Sequence, residues 1–129
     1  MVFLIEDEDG EKFGYYLNTE VIEKYNTFVE TNEKSFEFNL QSNGRLKQPM
    51  KFEIKDLKDG GYCLYEKSGW NNLIEFGDIY LFKEDYKNES HCCQNEDRFN
   101  YHGIENALCG KTGVDDPFTP KRILVIQMK

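Results

Sequence analysis

Six consecutive residues, Ser35-Phe36-Glu37-Phe38-Asn39-Leu40, alternate polar and apolar without a break. Side chains recur on one side every second residue in a strand but every third or fourth in a helix, so this run excludes a helix and requires a pleated ribbon. The simplest expectation puts Phe36, Phe38 and Leu40 on the buried face, where each contributes about 1.5 to 3 kcal/mol and together they fix the register. Met50, Phe52 and Ile54, interleaved with Lys51, Glu53 and Lys55, repeat the pattern after a turn at Ser42-Asn43-Gly44. Asp59-Gly60-Gly61 marks a further turn before a strand at Tyr62 to Tyr65.

The amino-terminal stretch gives the same message. Val2-Phe3-Leu4-Ile5 and Phe13-Gly14-Tyr15-Tyr16-Leu17 flank an acidic segment containing Asp9-Gly10, a pair that tolerates positive φ, which predicts a hairpin. Aromatic residues make up 15% of the 129, with ten Phe, eight Tyr and one Trp, a balance that favours sheets over helical bundles. Between Thr19 and Val29 the apolar residues Val21, Ile22, Tyr25, Phe28 and Val29 fall at helical spacing, which predicts a short helix capped by Asn18 or Thr19, with a loop carrying aromatic anchors as the rival.

The closing run Ile123-Leu124-Val125-Ile126 is continuously apolar and predicts a central strand, Arg122 to Met128, buried on both faces. The expected fold is one mostly β domain over residues 1–129. It is an antiparallel two-sheet sandwich with one or two short helices and a long loop, Gln94 to Asp116, before the last strand.

Chemistry-bearing groups crowd into one stretch, Asp78 to Cys93. Ile79-Tyr80-Leu81-Phe82 reads as a buried strand ending at the solvated triplet Lys83-Glu84-Asp85, and Tyr86, Ser90, His91, Cys92 and Cys93 follow. Ser90 or Cys93 as nucleophile with His91 as base would make a hydrolase, with Glu84, Asp85 or Asp97 as the orienting acid. Neighbours on a strand point to opposite faces, however, which weighs against that pairing. His91, Cys92, Cys93, His102 and Cys109 offer zinc ligands, but without the Cys-x-x-Cys or His-x(3 to 5)-His spacing of preorganised sites. Packing roles for the His and the thiols outweigh both readings, and no cofactor is expected. A redox-sensing thiol is opposed by the surrounding acids Glu89, Glu96 and Asp97, with only His91 and Arg98 to favour the thiolate.

A net charge of -8 repels phosphate backbones and anionic lipid, so nucleic acid is an unexpected partner and a DNA-binding regulator the weakest reading. No run approaches the roughly 18 apolar residues that span a bilayer. The start MVFLIEDEDG is too briefly apolar for a signal peptide. Cys63, Cys92, Cys93 and Cys109 therefore read as free thiols in an intracellular, cytoplasmic protein. The acids Glu6, Asp7, Glu8 and Asp9 read as a charged hairpin tip, and Lys34, Arg45, Lys47 and Lys51 as a solvated strand face. Trp70, in the loop KSGWNN, is the better candidate anchor for a protein contact, with a core plug as the equal alternative.

The order of these pieces resembles the TLDc domain of the oxidation-resistance proteins. FLIEDEDGEKFGYY resembles that family's opening hairpin, and KSFEFNL its Glu-Ser-Phe-x-Phe strand, with Lys34 in place of the usual Glu. MKFEIKD is similar to its Phe-Phe-Ile-Lys-Gly element, DIYLFKEDYKNESHCC to its Leu-Trp-Leu-Asp through Ser-His-x-Cys block, and PFTPKRILVIQM to its closing strand.

Two departures accompany the resemblance. The family's usual preceding helix-strand-helix portion has no counterpart here, which implies a fragment, a reduced version or a sheet with an open edge. The family's glycine-rich stretch is replaced by YCLYEKSGWNNLIEFG, which retains only Gly69 and Gly77. The resemblance implies a non-enzymatic interaction module in oxidative-stress protection, with a subunit of the vacuolar proton-pumping ATPase as partner. Trp70, Asp78, Tyr80, Glu84 and Tyr86 are the expected interaction residues.

Overall fold

A computed structural model describes residues 1–58 and 60–128; Asp59, within the expected Asp59-Gly60-Gly61 turn, and Lys129 lie outside the described residues. Strands β1 (Val2–Asp7), β2 (Lys12–Tyr16), β4 (Phe36–Gln41), β5 (Met50–Glu53) and β10 (Pro120–Ile126) form one sheet in the order β10-β1-β2-β4-β5. Strands β3 (Phe28–Glu30), β6 (Gly61–Leu64), β7 (Asn72–Phe76), β8 (Ile79–Phe82) and β9 (His91–Cys92) form the second, in the order β3-β6-β7-β8-β9. All ladders between these strands are antiparallel.

The two inner faces meet through aromatic rings: Phe3 of β1 stacks on Phe76 of β7 at 4.8 Å, and Tyr15 of β2 meets the same ring at 5.7 Å. Phe13, Phe52, Tyr62, Ile79, Leu81 and Phe99 complete a core in which each is at most 1% exposed. The mostly β, two-sheet expectation is the observed architecture, and residues 94–116 are irregular as expected.

Three expectations are corrected. The alternation of β4 is real, but the face turned to the core is the polar one, although Phe38 is itself buried at 8% exposure on the other side. Ser35, Glu37 and Asn39 point inward at 0%, 0% and 1% exposure, whereas Leu40 is 49% exposed. Phe36 and Phe38 lie on the outer face, Phe36 against Tyr16 at 5.1 Å and Phe38 across Gly14 of β2. Three chain segments end against the inner side of β4, and their backbone groups need partners when removed from water. Ser35 Oγ accepts from Asn18 N at 2.7 Å, Glu37 Oε2 from Asp78 N at 2.7 Å, and Asn39 Nδ2 donates to Leu108 O at 2.6 Å.

The helix expected over Thr19 to Val29 is absent. Residues 19–27 are irregular, with Asn26 at φ 57°, and Val29 belongs to β3. Three turns of pattern do not sustain a helix without a face to bury, and Ile22 and Tyr25 remain 46% and 45% exposed. Instead Tyr62 Oη pins the segment, accepting from Ile22 N at 2.8 Å and donating to Glu20 O at 3.2 Å. The single helical element among the described residues is a 3-10 turn, Glu84–Glu89.

The closing strand is neither central nor buried on both faces. β10 is an edge strand paired with β1 alone among the described strands, and Leu124, Val125 and Ile126 are 39%, 57% and 45% exposed. The opposite edge, β5, is covered by the long loop through an Ile54–Phe99 bridge and a bond from Lys55 N to Arg98 O at 2.7 Å.

The hairpin tip is less solvated than its charge implies. Asp7 is 1% exposed, and its Oδ1 accepts from Asp9 N and Glu11 N, both at 3.0 Å. Arg45, read as part of a solvated face, binds Glu11 through two nitrogens at 2.8 and 3.0 Å.

Candidate interaction groove and the fate of the reactive residues

The loop after β6 carries Trp70 outward at 55% exposure, its ring 5.9 Å from that of Tyr65. A loop of Lys, Ser, Gly and Asn has little packing of its own, yet this one is held from beneath. The Lys83 ammonium donates to the carbonyls of Glu66 at 3.0 Å, Lys67 at 2.8 Å and Trp70. An ammonium has three hydrogens, and here each has an acceptor from one loop. Gly69, at φ +93° with open space around it, makes the turn inside that arc.

The result is an open groove of about 850 Å³ lined by Tyr25, Tyr65, Leu73, Glu66, Lys67 and Glu84, among others. Of its apolar members Tyr25 and Leu73 are each 45% exposed and Tyr65 is half-buried.

The expected interaction residues divide accordingly. Glu84 lines this groove and is bonded to Lys87 at 3.1 Å, while Trp70, beside Tyr65, and Tyr86, on the 3-10 turn, are exposed outside its lining. Tyr80 is half-buried on the outer face of β8, its ring stacked on His91 at 4.9 Å and 9°. Asp78 is fully buried and faces the core, away from this groove.

The residues of the hydrolase reading make packing and backbone contacts. Ser90, 0% exposed, accepts from Phe82 N through Oγ at 3.1 Å. His91 is held between Tyr80 and Phe82, and its Nδ1 lies 3.1 Å from Glu89 O. Cys92 points to the opposite, inner face beside Ile79. Burial pushes the Cys93 thiol up, with the Asp78 charge adding to it, so the nucleophilic thiolate is disfavoured there. Cys63 is likewise raised by burial, and Cys92 strongly so.

The zinc candidates do not gather. Cys92 and Cys109 lie side by side in the core with sulfurs 3.8 Å apart, whereas His91 is on the other face and exposed His102 bonds Lys51 O at 3.2 Å. No cluster of three or more His, Cys, Asp or Glu side chains suited to a metal occurs among the described residues. No helix there is long and apolar enough to cross a membrane.

Two features escaped the sequence. Tyr25, Tyr65 and Leu73 meet only after folding, although Tyr65 and Leu73 lie on either side of the Trp70 loop and pair through Tyr65 N to Leu73 O at 3.2 Å. The role of Lys83 had no signature, because its acceptors are carbonyls that every residue carries. Comparison with models of known protein families, with curated protein sequences and with solved structures found no match.

Proposed function

We propose that the chain is a non-enzymatic protein-interaction domain that docks through the Trp70 loop and the groove beside it. The observation that carries this reading is the fixed aromatic loop. Lys83 ties the backbone of the loop through the Glu66, Lys67 and Trp70 carbonyls, and the Trp70 ring lies 5.9 Å from that of Tyr65; a loop backbone held in advance lowers the ordering cost of binding, and Trp and Tyr are favoured interface anchors. The candidate nucleophiles and base support it from the other side, since Ser90 and His91 are each engaged in packing or backbone bonds and burial raises the Cys93 thiol.

The similarity of the sequence motifs to TLDc domains suggests the biological setting, oxidative-stress protection, and a first partner to test, a subunit of the vacuolar proton-pumping ATPase. Purified wild-type chain and Trp70→Ala are titrated against isolated peripheral subunits of that pump by biolayer interferometry. Binding by the wild type, weakened about tenfold or more by the substitution with an unchanged melting curve, is the expected result. Equal affinity of the two proteins would remove the groove, and no binding by either would remove this partner.

A further inference from the structure

Glu37 and Asp78, each 0% exposed, approach the same phenol: Tyr101 Oη lies 2.5 Å from Glu37 Oε1 and 2.5 Å from Asp78 Oδ2. A phenol carries one hydrogen and can donate to only one of them. If both carboxyls were ionised, the other contact would set two lone-pair-bearing oxygens against each other at hydrogen-bond distance, away from water. A second hydrogen is therefore needed. We infer that Glu37 is a neutral carboxylic acid in the folded protein, and that a proton relay runs Glu37 Oε1–H to Tyr101 Oη–H to Asp78 Oδ2.

The direction follows from the remaining partners. Asp78 Oδ2 also accepts from Asn95 N at 2.8 Å, and Oδ1 lies 3.7 Å from the Arg98 guanidinium, so Asp78 sits in the field of donors and a cation. Glu37 Oε2 accepts from Asp78 N at 2.7 Å, which is what a carbonyl oxygen of a neutral acid does, and leaves Oε1 to carry the hydrogen. The close approach depends on Gly77, where a side chain would meet Glu37 Oε2 at 2.6 Å.

Other titratable groups facing the pair are Tyr15 from β2, Cys92 from β9 and, in the long loop, Tyr101 and Arg98; Arg98 is the only cation among them. Burial first, and the Asp78 charge second, push Glu37 well above the usual carboxylate range.

The proton ties together three parts of the chain that share no ladder: β4, the Gly77-Asp78 turn and the long loop. Because the folded-state value is raised above the unfolded one, the native state holds a proton that the unfolded chain releases once the pH passes about 4.3. The contribution is complete below that pH and is lost as pH rises through the folded-state value, which makes this junction alkali-sensitive.

The test compares wild type with Glu37→Gln, whose amide reproduces both bonds without a titratable proton, by urea denaturation from pH 5 to 9. The expected result is a folding equilibrium constant that falls about tenfold per pH unit relative to the variant until the folded-state value is passed. Infrared spectra of the wild type at pH 7 carry the C=O band of a protonated buried carboxyl that Glu37→Gln lacks. Parallel pH profiles, or no such band in the wild type, overturn the inference; the band is read on wild type alone should the variant not fold.

Discussion

The first sheet contains two strands that exchange the roles their compositions suggest. β4 carries Ser35, Glu37 and Asn39 into the core at no more than 1% exposure, while β10, built from Ile123, Leu124, Val125 and Ile126, leaves three of these four more than a third exposed. Position in the sheet accounts for the difference. β4 lies between β2 and β5 and receives chain ends on its inner side, whereas β10 has β1 on one side and no further described strand on the other. Burial is thus decided by what a strand packs against, and polar groups are tolerated wherever every donor and acceptor finds a partner.

The sharpest way to break the comparison is to remove one member of the buried polar set. Asp78→Ala deletes the acceptor of Tyr101 Oη and Asn95 N and leaves the Arg98 guanidinium without its buried counter-charge. The Arg98 side chain is 33% exposed, so the loss rests on the two donors left without this acceptor, at about 1 to 3 kcal/mol each, and a loss of about 3 kcal/mol is expected in urea denaturation at pH 7. A loss below about 1 kcal/mol would mean that the carboxylate is solvated in solution and that the inner face of β4 is not dry.

A smaller effect is expected at Asn39, where polarity and burial are opposed most directly. Asn39→Leu makes the strand more apolar yet leaves Leu108 O without its 2.6 Å donor and removes a 3.2 Å bond to Glu11 Oε2. A buried acceptor left unpaired costs about 1 to 3 kcal/mol, so the more hydrophobic protein is expected to be the less stable one. Thermal denaturation followed by circular dichroism reads the sign; a rise in melting temperature would show that the polar face of β4 is tolerated, not required.

Which of this the sequence discloses follows from how far apart the partners are. Alternation and turn residues are local, so most of the longer strands, the Asp9-Gly10 hairpin and the irregular Gln94–Asp116 stretch were legible, whereas the short β3 and β9 were not. The phase of β4 was not, because a period of two has two faces and the choice between them rests on Asp78 and Tyr101, 41 and 64 residues away. Trp70 was legible as an exposed anchor because its neighbours are turn formers. The groove beside it was not, since Tyr25 joins through an isolated bridge to Leu64 that no pattern announces. At β10 a run of β-branched residues was indistinguishable from a central strand, since apolar character reports the ability to be buried, not the presence of a neighbour.

The smallest expected effect completes the comparison from the other strand. Val125 opposes Phe3 of β1 in the ladder, yet it is 57% exposed while Phe3 is 6% exposed, because the core beneath the sheet stops short of the edge. Val125→Thr keeps the branched shape and strand preference and exchanges one methyl for a hydroxyl that water can reach. Surface substitutions of this kind stay within about 0.5 kcal/mol, so the expected outcome is an unchanged denaturation midpoint, far from the cost at Asn39. A loss above about 1 kcal/mol would mean that this side chain is covered in solution. Repeating the melt over a range of protein concentrations then separates the causes: a midpoint rising with concentration assigns the cover to another copy of the chain, and a constant midpoint assigns it to the chain's own packing.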